Sequence, residues 1–170
     1  VGGRLWRKLE EGGVHVRCMA RDPLSLADKV GGTTEVVRAD IFSVSSLEAA
    51  LEGIETGYYL IHSMGSAGNF EEADREGARN FAQAAERAGV KRIIYLGGLG
   101  DASEELSPHL RSRHEVGEIL RSTKVAMLEL RASIVLGAGS LSFEMIRALV
   151  DRLPVMITPR WVEVEAQPIG

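Results

Sequence analysis

His109 and Arg113 stand four apart in "HLRSRHEVGE", the spacing that puts two side chains on one face of a helix. A histidine can carry a proton near neutral pH. An arginine can hold an anion or a hydroxyl group but does not give up a proton itself. A second set opens the chain: Gly2 and Gly3 stand before a helical stretch. A helix entered through glycines offers unpaired N–H groups and a positive dipole end to a phosphate. On these residues alone, a frayed terminus explains the two glycines equally well. A third candidate is Arg21, which closes a strand-like run, with Arg17 four residues earlier. Its guanidinium suits a phosphate, and it equally suits a solvated turn. Asp22 beside it could reverse the preference.

The elements that must position these residues alternate along the chain. Leu5, Trp6 and Leu9 predict a helix that stops at Gly12 and Gly13. Val14 to Ala20 alternates like a strand, and Thr34 to Asp40 predicts another. Ser45 with Glu48 reads as a capping box for a helix ending at Gly53. Gly57 to Met64 is an almost unbroken apolar run, as in a strand covered on both faces. Asn69 with Glu72 predicts a further helix start, with an inner stripe of Phe70, Ala73, Gly77, Phe81, Ala84 and Ala88 ending at Gly89. Arg92 to Gly100 predicts a buried strand running into glycines. Ser107 and Pro108 cap a helix to about Ser122. Val125 to Gly137 predicts a strand and its exit loop. Ser140 or Ser142 caps a last helix through Arg152, and short irregular strands follow.

Strand followed by helix, several times over, implies parallel strands joined by right-handed crossovers. The predicted fold is α/β, a doubly wound parallel sheet, as one domain over 1–170. In the Rossmann form of that fold, a glycine turn after the first strand holds a dinucleotide pyrophosphate. The end of the second strand selects between NAD and NADP: an acidic residue accepts the ribose 2′-OH, and an arginine meets a 2′-phosphate. Arg21 stands at that end, so NADP(H) is expected over NAD(H).

Further support comes from a resemblance carried by "VGGRLWRKLEE", "VRCMARDP", "VVRADIFSVSSLEAALEGIETGYYLIHSMGS", "AGVKRIIYLGGLG", "SRHEVGEIL", "LRASIVLGAGS" and "TPRW…QPI", which occur in order over nearly all of the chain. The sequence resembles the atypical short-chain dehydrogenase/reductase superfamily, in particular NmrA-like members and relatives of a complex I accessory subunit. The usual opening there is a strand followed by T-G-x-x-G-x-x-G, and Gly2 resembles the third glycine. The resemblance thus implies a first strand upstream of residue 1, an empty slot beside the second strand, and a cut at the C-terminus as well. It also implies a further C-terminal domain in the parent chain.

The same resemblance places Asp40 against the adenine amino group, with Ile41 flanking the ring, although Asp40 also suits a turn cap. It sets His62, Ser63 and Met64 along the cofactor, although His62 also suits a buried histidine satisfied by backbone. Typical members carry a serine after the fifth strand and Y-x-x-x-K on the next helix. This sequence departs at each position. Gly97 or Gly98 stands at the serine, His109 at the tyrosine and Arg113 at the lysine. Tyr95, inside a buried strand, cannot stand in. Arg113 could still hold the ribose or a phosphate, and both it and His109 also suit a mixed-charge surface helix.

Two functions from different classes follow. One is an oxidoreductase passing hydride from NADP(H) to an easily reduced, quinone-like acceptor. The other is a binding module that holds NADP(H) as a redox sensor or structural subunit. Other chemistries lack residues. Net charge is −4, which gives no case for nucleic acid. The single cysteine, Cys18, rules out an internal disulfide and fits a reducing compartment such as the cytoplasm. No apolar run is long enough to span a membrane. His15, His62, His109 and His114 make no ligand spacing with the cysteine, so no metal is expected.

Overall fold

The computed structural model describes residues 1–61, 70–100, 106–137, 141–152 and 168–169. Helices and strands alternate: α1 (Gly2–Glu11), β1 (Val16–Ala20), α2 (Leu24–Ala27), β2 (Thr34–Arg38), α3 (Val44–Leu51), β3 (Thr56–Tyr59), α4 (Phe70–Arg87), β4 (Arg92–Gly98), α5 (Pro108–Arg121), β5 (Ala126–Ala132), β6 (Ile134–Val135), α6 (Leu141–Arg152) and β7 (Pro168–Ile169). Every strand pairing among the described residues is parallel. The predicted α/β class with parallel strands is the observed one.

The strands fall into three sets: β1 with β2, then β3, β4 and β5, then β6 with β7. β1 and β3 are not paired to each other, and no described strand stands between them. Each of these two strands therefore has one edge without a strand partner among the described residues.

The core lies on one face of the β3–β5 sheet, under α3, α4 and α5. Tyr59, Phe81, Ile93, Tyr95, Leu47, Val116 and Leu120 are its largest buried apolar side chains. Phe81 meets the Tyr59 ring edge-on at 5.1 Å, and Tyr95 lies 6.0 Å beyond Tyr59. The other face is thinner: Leu128 and Leu130 of β5 are about half exposed.

Local details depart from the sequence reading in three places. α3 begins two residues early, at Val44 with Ser43 as the N-cap, and no side chain caps it. The expected box of Ser45 and Glu48 does not form. Instead Ser46 Oγ accepts from the Asp40 N–H at 3.1 Å, and Glu48 pairs with Arg87 at 2.7 Å. The buried stripe of α4 is Asp74, Gly77, Ala78, Phe81, Ala82, Ala84 and Ala85. It is broader than expected and takes in Asp74 instead of Ala73, because α4 packs against both α3 and α5. β3 ends at Tyr59, well short of Met64. Other signals hold: Gly89 ends α4 with φ +73°, and Ser107 accepts from the Leu110 N–H with Pro108 at the first helical position. The Asn69 and Ser140 caps lie outside the described residues, as does the segment 153–167.

Candidate functional site

In a doubly wound sheet the carboxyl ends of the strands line the ligand crevice. Here the N-terminus of α1 comes to the carboxyl end of β3: a Cβ on Gly2 would stand 3.6 Å from Leu60 Cδ1. The first turn of α1 holds no acidic residue, so none offsets its positive dipole end from within the helix. The Val1 carbonyl accepts from Arg4 and Leu5. The N–H groups of Gly2 and Gly3 have no partner among the described residues, and a Cβ on Gly3 would meet open space. Two free N–H groups and an open glycine are what a pyrophosphate needs, so this helix start fits a dinucleotide. Across the mouth, the Arg4 guanidinium lies against Gly137, just beyond β6.

The arm made by β1 and β2 carries the candidate selectivity residues. Arg21 follows β1 and is exposed, with no acidic partner among the described residues. Asp22 does not compete for it. Its Oδ1 accepts from the Leu24 N–H at 3.2 Å, and its carbonyl accepts from Ser25. Arg38, the last residue of β2, pairs in register with Ala20 and is also exposed. The sequence reading passed over Arg38 because a single arginine inside a strand gives no signal. Arg17 is already engaged: it donates to Glu35 at 2.6 Å and to the carbonyls of Ala50 and Glu52 at the end of α3. Asp40 is half-buried, and its Oδ1 accepts from the Phe42 N–H at 3.0 Å, which leaves Oδ2 open. The Ile41 carbonyl accepts from Asn80 at 3.1 Å. The Ile41 side chain lies over Gly77, where a Cβ would stand only 2.9 Å from Cγ1. His62, Ser63 and Met64 fall outside the described residues.

The opposite wall is β4 with α5. Gly97 is buried, and a Cβ there would stand 2.6 Å from Glu129 Oε1. That carboxylate reaches in from β5. It also lies 3.1 Å from where a Cβ on Gly117 would be. Its side chain is 8% exposed, and Arg121 and Arg131 donate to it at 2.6 and 3.1 Å. A side chain at 97 therefore requires the end of the Glu129 side chain to give way, at the oxygen opposite the one the arginines bond.

His109 and Arg113, expected on one face of α5, have different surroundings. His109 is exposed on the first turn. Arg113 is 8% exposed, with its guanidinium 5.0 Å from the Tyr95 ring centroid. A surface-helix reading of Arg113 is thereby excluded. Deeper in the wall, Ser112 donates to Asp74 at 3.0 Å, joining α5 to α4, and both residues are buried. Sequence reasoning missed this pair, since serine and aspartate on helices ordinarily face solvent. The one available signal was the apolar neighbourhood of Asp74 in α4. His114 Nε2 is buried with no hydrogen-bond partner among the described residues, near Gly100.

Neither core tyrosine is suited to giving a proton near neutral pH. Burial pushes the Tyr95 hydroxyl up to about 12, with the Arg113 charge opposing and Glu129 adding to the rise. That hydroxyl donates to the Arg113 carbonyl at 2.8 Å. Burial and then the Asp74 charge also raise Tyr59. Among the described residues no group of three or more His, Cys, Asp or Glu is placed to hold a metal, and no helix is long and apolar enough to cross a membrane.

The chain is similar to cinnamoyl-CoA reductase 1 of Oryza sativa subsp. japonica, 28% identical over 59% of this chain and 32% of that one. Its fold is similar to that of Citrobacter sp. triphenylmethane reductase complexed with NADP(H), with a TM-score of 0.61, 22% identity, and 79% of this chain and 45% of that one covered. It is also similar to MoeE5 in complex with UDP-glucose and NAD, with a TM-score of 0.70, 20% identity, and 86% and 56% covered. The chain thus spans 32% of the curated relative's length and 45% and 56% of the two solved chains. The family model described as NAD(P)H-binding matches residues 1–136, from the glycines that open α1 to the end of β6. The chain belongs to the family that this model describes, NAD(P)H-binding.

Proposed function

We propose that this chain is the NADP(H)-preferring domain of an NmrA-like oxidoreductase that works without the usual serine, tyrosine and lysine. The observation that carries the cofactor preference is Arg21, exposed at the end of β1 while Asp22 is turned into its own loop. Arg38 beside it adds a second positive charge. A 2′-phosphate gains charge-assisted partners there. Gly2 and Gly3 hold the pyrophosphate with their N–H groups. Asp40 accepts from the adenine amino group through Oδ2, and Ile41 flanks the ring. His62, Ser63 and Met64 run along the cofactor, and Gly97, Gly98 and Arg113 form the wall on the nicotinamide side. When bound, the dinucleotide supplies a hydride.

His109 is the proton carrier of this reading, since it is open to water on the first turn of α5. It stands outside the buried wall, so the acceptor is one that needs little proton donation during hydride transfer, such as a quinone or another extended conjugated system. The triphenylmethane reductase with a similar fold is named for an acceptor of that kind. Completing the substrate side falls to a further C-terminal domain, and the cytoplasm is the compartment that fits a lone cysteine.

A second reading, a sensor that holds NADP(H) without turnover, is favoured by the same wall. Gly97 has no room for a hydroxyl, and both core tyrosines are pushed up. Calorimetry with NADPH and NADH tests the preference: tighter NADPH binding is expected, and equal affinity overturns it. NADPH consumption over a panel of quinones and enones separates the two readings. Turnover with any of them excludes the sensor.

A further inference from the structure

Arg113 raises a question that its position does not answer. It is a buried cation with no carboxylate within ion-pair distance among the described residues. Taking a guanidinium out of water costs several kcal/mol unless its donors are matched. Here they are matched by main-chain oxygens. Nη1 donates to the Ile61 carbonyl at 3.3 Å, and Nη2 donates to the Leu96 carbonyl. Ile61 lies just past β3, and Leu96 lies near the end of β4. One planar group therefore spans the carboxyl ends of two neighbouring strands. It also faces the Tyr95 ring, while the Tyr95 hydroxyl donates back to the Arg113 carbonyl at 2.8 Å. Strand and helix thus hold each other from both sides. The stem runs beside Gly98, where a Cβ would stand 3.6 Å from Arg113 Cβ.

We infer that Arg113 is a positioning residue: a clamp that fixes the carboxyl ends of β3 and β4 relative to α5 and so sets the floor under the nicotinamide. The arginine here directs two donors at protein carbonyls, and that task needs a rigid fork. Lysine keeps the charge but lacks the fork. Charge and geometry can therefore be separated by one substitution. The cofactor part of the inference rests on the reading that this crevice holds a dinucleotide; the clamp itself does not.

The test compares the full chain with Arg113→Lys and Arg113→Ala by amide hydrogen exchange without ligand and by NADPH titration. The clamp predicts that both variants lose protection about 10-fold or more at the Leu96 to Leu99 amides. It also predicts that both bind NADPH about 10-fold or more weakly, with no rescue by lysine. Wild-type affinity or wild-type protection in Arg113→Lys overturns it. Should the unsubstituted chain fail to bind NADPH, the cofactor reading falls, and the exchange measurement alone still decides the clamp. Where an Arg113 variant does not fold, Tyr95→Phe serves instead. It removes only the hydroxyl bond to the Arg113 carbonyl and should loosen the same amides by a smaller factor; unchanged protection there counts against the clamp.

Discussion

On the β1–β2 arm, Arg21 and Arg38 stand in solvent, and Asp22 and Asp40 each use one oxygen on a backbone N–H of their own turn. Across the crevice, Asp74, Ser112, Arg113 and the Glu129 carboxylate are buried, and each finds its partner on a different element. On the arm, Arg21 and Arg38 are exposed and paired to no carboxylate among the described residues, so their charges can be changed at little cost in stability. The wall is shared among α4, α5, β3, β4 and β5, so no group in it can change alone. The proposed selectivity residues thus stand where substitution is cheap, and the wall's packing where it is expensive.

The comparison can be broken from the wall outward. Phe81→Ala removes the ring that fills the space between α4 and β3, and should cost about 3–5 kcal/mol in denaturant unfolding. A loss under about 1 kcal/mol would show that the wall is looser than its packing implies. Ser112→Ala leaves the buried Asp74 carboxylate without that donor and should cost about 1.5–3 kcal/mol. If instead it is neutral, the pair does not hold the helices together.

A titration gives the third probe. The folded state holds Tyr95 protonated up to about 12, above an unfolded value of about 10. Its contribution is complete below pH of about 10 and is lost as pH rises through about 12. Unfolding curves over that window should steepen for the natural chain and flatten for Tyr95→Phe. On the arm the expected change in stability is smallest. Arg21→Ala should move it by less than about 0.5 kcal/mol while lowering the ratio of NADPH to NADH affinity about 10-fold or more. A variant that keeps the ratio would move the selectivity elsewhere, with Arg38 the next residue to change.

What was legible in the sequence divides along the same line. The fold class followed from alternating periods of apolar residues, which local order sets. The Ser107 cap depends on neighbours in the chain, and it could be named. The wall could not. Asp74 sits in a helix stripe expected at Ala73, and its burial depends on a serine 38 positions away. Glu129 alternates along β5 like any strand residue. Only the register of β5 against β4, Tyr95 opposite Glu129, brings it under Gly97 and Gly117. Ser45 with Glu48 matched a capping box by spacing, yet Ser46 took the role of bonding the turn at Asp40.

The packing of Glu129 against two glycines also bears on how such a sequence changes over time. A side chain at 97 meets Glu129 Oε1, while Arg121 and Arg131 bond Oε2 of the same carboxylate. Positions 97, 117 and 129 are therefore coupled: a larger residue at either glycine and a shorter one at 129 should compensate each other rather than add.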